Sequence, residues 1–212
     1  MIRLDIFSDP VCPWCYIGRA NLDRALEQHA DHPFRIEYHP FQLNPDMPAA
    51  GVDRADYLEA KFGGKARAVE IYARVEAAAK AAGLDLDFGN IPLIPNTLDA
   101  HRLIHWAGIE GKQSAMIAAL FRAYWREGRD IGNSETLAAI AGEVGLDSAA
   151  IARLLATDAD RDDLIARDND ARSKGVTSVP TFLIAQQYVV SGAQSPEIWG
   201  QVIGELAKLP PA

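Results

Sequence analysis

The feature that most constrains this chain is a change of hydrophobic period within its first two dozen residues. Ile2, Leu4 and Ile6 alternate with Arg3 and Asp5, the two-residue repeat of a strand, until Ser8-Asp9-Pro10 breaks it. From Tyr16 the repeat is helical, with Leu22, Ala25 and Leu26 on one face. Between the two lies Cys12-Pro13-Trp14-Cys15. Pro13 suits the first helical position, because its fixed φ fits there and its missing N–H would have no partner in any case. Cys12 is therefore expected at the helix N-cap, with Cys15 one turn further in. Unpaired N–H groups and the positive end of the helix dipole favour a thiolate at such a cap. The expected division of labour is that Cys12 attacks, and that Cys15, less exposed but close, resolves the mixed disulfide.

Two cysteines three apart also serve as half of a zinc site or as inert buried thiols. A structural zinc site usually needs four ligands, and the chain has no third cysteine. His101 and His105 are four apart, as on a zinc-protease helix, but Arg102 stands where that motif needs Glu. Gly63-Gly64-Lys65-Ala66 lacks the Ser or Thr of a phosphate-binding loop. No metal is expected. The net charge of -8, without a basic block, argues against nucleic acid as a partner. No 18-residue apolar stretch is present, and the N-terminus lacks the basic region, apolar core and cleavage site of a signal peptide. A cytoplasmic protein with no membrane partner is expected, in a compartment that keeps thiols reduced between turnovers.

Phe34, Ile36 and Tyr38 alternate with Arg35, Glu37 and His39 and read as a second strand. Strand, helix and strand in some forty residues make a crossover unit, whose two strands should be parallel neighbours. Residues 40–51 carry Pro40, Pro45, Pro48 and Gly51 and read as an ordered loop. Residues 53–155 read as five or six Ala-rich helices separated by glycines and prolines, with Asp53, Thr97, Ser134 and Asp147 or Ser148 as N-caps. Leu103, Ile104 and Ala107, and Met116, Ala119, Leu120, Ala123 and Tyr124, are core faces. A charged helix over 160–174 ends at Gly175. Residues 181–185 and 188–191 flank Gln186-Gln187 as an antiparallel hairpin, and Ser195-Pro196 starts a last helix with Ile198, Val202, Ile203, Leu206 and Leu209 on its apolar face. The fold class expected is α/β: a discontinuous domain of residues 1–40 and 158–212 around a helical insertion of residues 41–157.

The proline at the mouth of the apolar strand, Pro180, reads either as a trans strand-starter or as a cis proline, X-Pro bonds being the ones where cis is cheap. Cys12-Pro13-Trp14-Cys15 after a first strand, Val179-Pro180-Thr181 before a hairpin, and a helical insertion between them resemble the DsbA family of thioredoxin-fold disulfide oxidoreductases. Ser8-Asp9 ahead of Val11-Cys12-Pro13-Trp14-Cys15-Tyr16-Ile17-Gly18, then Asn96-Thr97 with Ala100-His101-Arg102, and Ser191-Gly192-Ala193-Gln194, resemble its FrnE-like branch, related to 2-hydroxychromene-2-carboxylate isomerases. The resemblance implies a thioredoxin-like fold, a central mixed sheet flanked by helices, with a large all-helical insertion. It also implies a cis Pro180 facing the dithiol, catalysis by Cys12, Cys15 and Pro180, and substrate binding at Pro13, Trp14 and Val179. A cis bond there would leave Val179 free to offer its N–H and C=O to an extended cysteine-containing chain. By the same resemblance Asn96 and His101 line the pocket facing Cys12; from the residues alone Asn96 is equally a helix cap and His101 a satisfied buried histidine. Trp14 is a lid or a substrate contact.

The function expected is thiol–disulfide exchange, as oxidant, reductant or isomerase, on a thiol- or disulfide-containing protein, peptide or small molecule. No tightly bound cofactor is expected, and glutathione is the expected co-substrate if there is one. Two alternatives remain. One is a glutathione-dependent isomerase or transferase, a group that usually carries Ser where this chain has Cys12. The other is a peptide-binding, chaperone-like module using the helical part as a groove. Substrate, reduction potential and oligomeric state are not legible from the sequence.

Overall fold

The computed structural model describes residues 1–208. It opens with β1 (Ile2–Ser8), α1 (Pro13–Gln28) and β2 (Phe34–Pro40). β2 runs parallel to β1, from Ile2 opposite Phe34 to Ser8 opposite Pro40, as the crossover rule requires. A two-stranded ribbon, β3 (Val52–Asp53) and β4 (Leu93–Ile94), then brackets α2 (Arg54–Phe62), α3 (Lys65–Ala81) and a short 3-10 turn, Phe88–Asn90. Strands of two residues carry no alternation, so nothing in the sequence announces the ribbon. α4 (Leu98–Ile109), α5 (Gln113–Trp125), α6 (Ser134–Glu143) and α7 (Ser148–Leu155) complete six helices over the stretch where five or six were expected. The chain closes with α8 (Arg161–Ser173), β5 (Thr181–Ile184), β6 (Tyr188–Ser191) and α9 (Pro196–Leu206).

The main sheet has the order β2-β1-β5-β6, with β5 antiparallel to β1 and β6 antiparallel to β5. It is the expected mixed sheet flanked by helices, and all four strands come from the two ends of the chain. The hairpin turn is one residue earlier than expected: Ala185 and Gln186 both have positive φ, and Gln187 N donates to Ile184 O at 3.0 Å. Left-handed backbone at two successive positions is the geometry of the turn that matches strand twist, although neither residue is the glycine or asparagine it favours.

α1 and α9 pack together, and Trp199 of α9 lies edge-on to Phe182 of β5 at 4.7 Å. Trp199 is wholly buried whereas Ile198, expected on the apolar face, is 40% exposed. Leu209 lies outside the described residues. Helix α4 is anchored by Arg102, which has no exposed surface. Its guanidinium donates to the carbonyls of Leu154, Thr157 and Ala159 at 2.7–2.9 Å and to Asp99 at 2.9 Å, over the ring of Trp106. This ties α4 to the junction of α7 and α8. At the outer edge of β2, the Gln113 side chain stands in for a further strand: Tyr38 N donates to its Oε1 at 2.9 Å, and its Nε2 donates to Tyr38 O at 3.0 Å.

Asp53 and Asp147 cap their helices as expected, but α6 is capped by Asn133, one residue before Ser134. Thr97 occupies the cap position of α4 without capping it; Asn96 Oδ1 accepts from Leu98 N at 2.9 Å, and the Thr97 hydroxyl turns to Asp9. Gly175, at φ 93, follows the last turn of α8 in the left-handed conformation that ends helices. Among the described residues no helix is long and apolar enough to cross a membrane.

Candidate active site

Cys12 is the N-cap of α1, in extended backbone, with Pro13 at the first helical position. Its N–H donates to Asp9 O at 2.9 Å, which closes the turn out of β1, and its carbonyl accepts from Cys15 N and Tyr16 N. Both cysteines are unbonded thiols, and both are almost wholly buried, at 3% and 2% exposure. Cys12 is thus much less open than a cap position alone implies, because Val11, Pro13, Trp14 and Val179 close around it. What separates the two thiols is that Cys12 lines a cleft and Cys15 does not. Burial holds the Cys15 thiol well above its usual pKa, and the neighbouring Cys12 sulfur adds to the effect. The Asp9 N–H and the Ser8 hydroxyl pull the other way.

The Val179-Pro180 peptide bond is cis, and the Cys12 thiol donates to Val179 O at 3.6 Å. Pro180 packs against α1 where Gly18 leaves room: a Cβ on Gly18 would lie 3.0 Å from Pro180 Cγ and 3.3 Å from Ala193 Cα. The end of β1 and the start of α1 therefore meet the loop before β5 at one point, with Val179 lying 167 residues on from Cys12.

The cleft has a volume of about 310 Å³. Cys12, Pro13, Trp14 and Val179 form one side, so four of the sequence-selected residues come together there. The opposite wall is Tyr57, Leu58, Lys61 and Phe62 of α2 with Ile71, Tyr72 and Val75 of α3. Sequence reasoning missed that wall. Its residues read as two helices parted by Gly63-Gly64, and only the tertiary contact brings both opposite the dithiol.

Asn96 and His101 do not line the cleft. His101 lies beside Asp9, and Asn96 lies against Gln42 and Met47. Asn96 donates to Met47 O at 2.6 Å and caps α4, so its side chain is used structurally. Asp9 is fully buried and accepts from Leu43 N at 2.7 Å, Val11 N at 3.3 Å and Thr97 Oγ1 at 3.4 Å. Burial outweighs these bonds and pushes its carboxyl up to about 7. His101 Nε2 lies 3.8 Å from Asp9 Oδ1, beyond hydrogen-bond distance, and has no other partner. Burial, helped by Arg167, pushes His101 down to about 3. Between about pH 3 and pH 7 the two are therefore an uncharged acid beside an uncharged imidazole, and no ion pair forms. In the sequence Asp9 stood out as a strand breaker and as part of the motif ahead of the dithiol, not as a buried carboxyl.

Another polar cluster involves β1 and β2 away from the cleft. His39 Nε2 lies 2.5 Å from Asp5 Oδ1, and Asp5, Glu37 and His39 hold potential ligand atoms within 4.8 Å of one another. Arg3 bonds Asp5 at 2.6 Å and lies 3.3 Å from Glu37, so a cation would have to displace a guanidinium already in place.

Comparison with known proteins places these features. A probable DsbA oxidoreductase from Streptomyces coelicolor is 30% identical, with a TM-score of 0.89 over 100% of this chain and 93% of that one. An uncharacterised protein of Bacillus subtilis, YwbO, is 26% identical over 98% of both chains. The cytosolic disulfide reductase DsbM of Pseudomonas aeruginosa, in its structure with GSH, shares the fold at a TM-score of 0.69 and 20% identity, over 98% of this chain and 100% of that one. The model of the DSBA-like thioredoxin domain matches residues 3–203, and the chain belongs to that family.

Proposed function

We propose that the protein is a thiol–disulfide oxidoreductase working through Cys12 and Cys15. The observation that carries this reading is the placement of the Cys12 thiol at a helix N-terminus, inside a cleft and against Val179 O, with a second thiol one turn behind. In the reductive direction, the Cys12 thiolate attacks one sulfur of a substrate disulfide. The substrate S–S bond breaks, a Cys12–substrate disulfide forms, and the departing thiolate takes up a proton. Cys15, on losing its proton, attacks the Cys12 sulfur, so that the protein ends as a Cys12–Cys15 disulfide and the second substrate thiol leaves. Two electrons pass from the protein to the substrate; the reverse sequence makes the protein an oxidant. Raising Cys15 above the usual thiol range keeps it protonated until the mixed disulfide draws it in, which orders the two steps.

Pro180 acts in catalysis next to Val179, whose carbonyl meets the Cys12 thiol, and Pro13, Trp14 and Val179 contact the substrate in this reading. Residues 1–40 and 158–212 act as the thioredoxin-like unit, with 41–157 supplying the opposite wall. A cytoplasmic setting and glutathione as co-substrate are part of the proposal, supported by the name and bound molecule of the Pseudomonas neighbour. The test is a pair of variants. Cys15→Ser should accumulate a mixed disulfide on Cys12, and Cys12→Ser should abolish exchange without trapping anything. Full activity of Cys12→Ser in an isomerisation assay with glutathione would replace exchange by glutathione-dependent isomerisation.

A further inference from the structure

The chemistry of the cleft points to a narrower class of substrate. We infer that it takes small thiols, and their disulfides, with an aromatic or apolar body and a single carboxylate on each thiol half, ahead of glutathione or an extended polypeptide. The inference rests on the exchange reaction proposed above.

Trp14, Phe62 and Tyr72 offer ring surface around Cys12, while Leu58 and Ile94 close the cleft with buried aliphatic surface. Among the described residues that line it, Lys61 is the one charged side chain. Its Nζ donates to Tyr57 Oη at 2.5 Å, and that hydroxyl donates to Asn44 Oδ1 at 2.7 Å, so the ammonium is held at the rim by a chain of hydrogen bonds. An ammonium has three donors, and this chain uses one. Among the described residues no carboxylate lies within 4.0 Å of it. In a chain of net charge -8, an un-neutralised cation at the mouth of an apolar cleft selects an anion. The nearby Arg54 is not a second one, because it stacks on Tyr72 at 4.6 Å and does not line the cleft.

Glutathione brings two carboxylates and an ammonium. The lining supplies no acidic group for the ammonium and no second cation, and unpaired charges at an apolar wall are costly. A polypeptide can place one side chain in a cleft of about 310 Å³, near the lower end of ligand-pocket sizes. The amides flanking its cysteine present no anion for Lys61 to read.

The experiment uses the reduced full-length protein and symmetrical disulfides, with the acid and its amide as the matched pair. The panel is the disulfide of 2-benzyl-3-mercaptopropanoic acid, the disulfide of its primary amide, oxidised glutathione, and a disulfide-linked cysteine peptide. The acid should show a KM about tenfold below the others, the size of one good charge-assisted hydrogen bond. In Lys61→Gln the acid-to-amide ratio of KM should collapse towards one, and Lys61→Arg should restore the preference. Equal KM for acid and amide, or the lowest KM for glutathione or the peptide, overturns the inference. Calorimetric binding of sulfur-free 3-phenylpropanoate beside its amide separates this inference from the exchange reading. Lys61-dependent binding of the acid without turnover of any disulfide would sink exchange and keep the cleft class. Turnover without acid preference would do the reverse.

Discussion

Replacing Asp9 by Asn should change how stability depends on pH, by an amount the structure sets. Asp9 is fully buried, and its carboxyl rises from 3.8 to about 7. The unfolded chain loses this proton near its ordinary value, while the folded chain keeps it to neutrality. Between those two values the folded state binds more protons, so the wild type loses stability as pH rises, and above about 7 the loss is complete. A shift of about 3 units corresponds to about 4 kcal/mol in full, of which about 3 kcal/mol falls between pH 5 and pH 8.5. The introduced amide cannot titrate. It keeps a carbonyl for Leu43 N and brings an N–H towards the unpartnered His101 Nε2. Urea unfolding of both proteins across that range should show the variant gaining on the wild type by about 3 kcal/mol, most of it before pH 7. Parallel pH profiles would refute the reasoning, and so would a variant that loses ground as pH rises.

Arg102→Met should cost about 3–5 kcal/mol by urea unfolding, because it removes a fully buried guanidinium that three carbonyls and Asp99 share; a loss below about 1 kcal/mol would mean water or repacking satisfies them. Gln186→Gly should stabilise the hairpin by about 0.5–1 kcal/mol, since φ is 58 there and glycine alone enters that region freely; a lower Tm would count against it. Gly18→Val should cost about 1–3 kcal/mol through overpacking against Pro180 and Ala193, and should slow exchange with dithiothreitol as Pro180 shifts; an unchanged rate would show that the two are not coupled.

What the sequence revealed and what it hid divide along range of interaction. The crossover unit, the dithiol at the cap of α1 and the hairpin are local, and period and turn residues announce them. Leu103, Met116 and Leu120 fell where helical spacing put them, in the core. Three misses share a cause. Ile198 yielded to Trp199, His101 faced Asp9, and the α2–α3 wall met Cys12, all through contacts that no short window contains, whereas Asn96 took the helix-cap role its residue type had offered. The buried charges were hidden for a different reason. Asp9 and Arg102 look like surface residues until the carbonyls, amides and helices that enclose them are in place.

The Gln113 amide on β2 has a consequence for the behaviour of the protein at high concentration. An open sheet edge is a template on which other chains assemble, and one primary amide here occupies both outward groups of Tyr38. On the far side, β6 from Tyr188 to Ser191 ends the sheet with Tyr188 and Val189 exposed. Aggregation by strand addition should therefore start at β6, and a lysine in place of Val189 should delay it more than any charge introduced along β2.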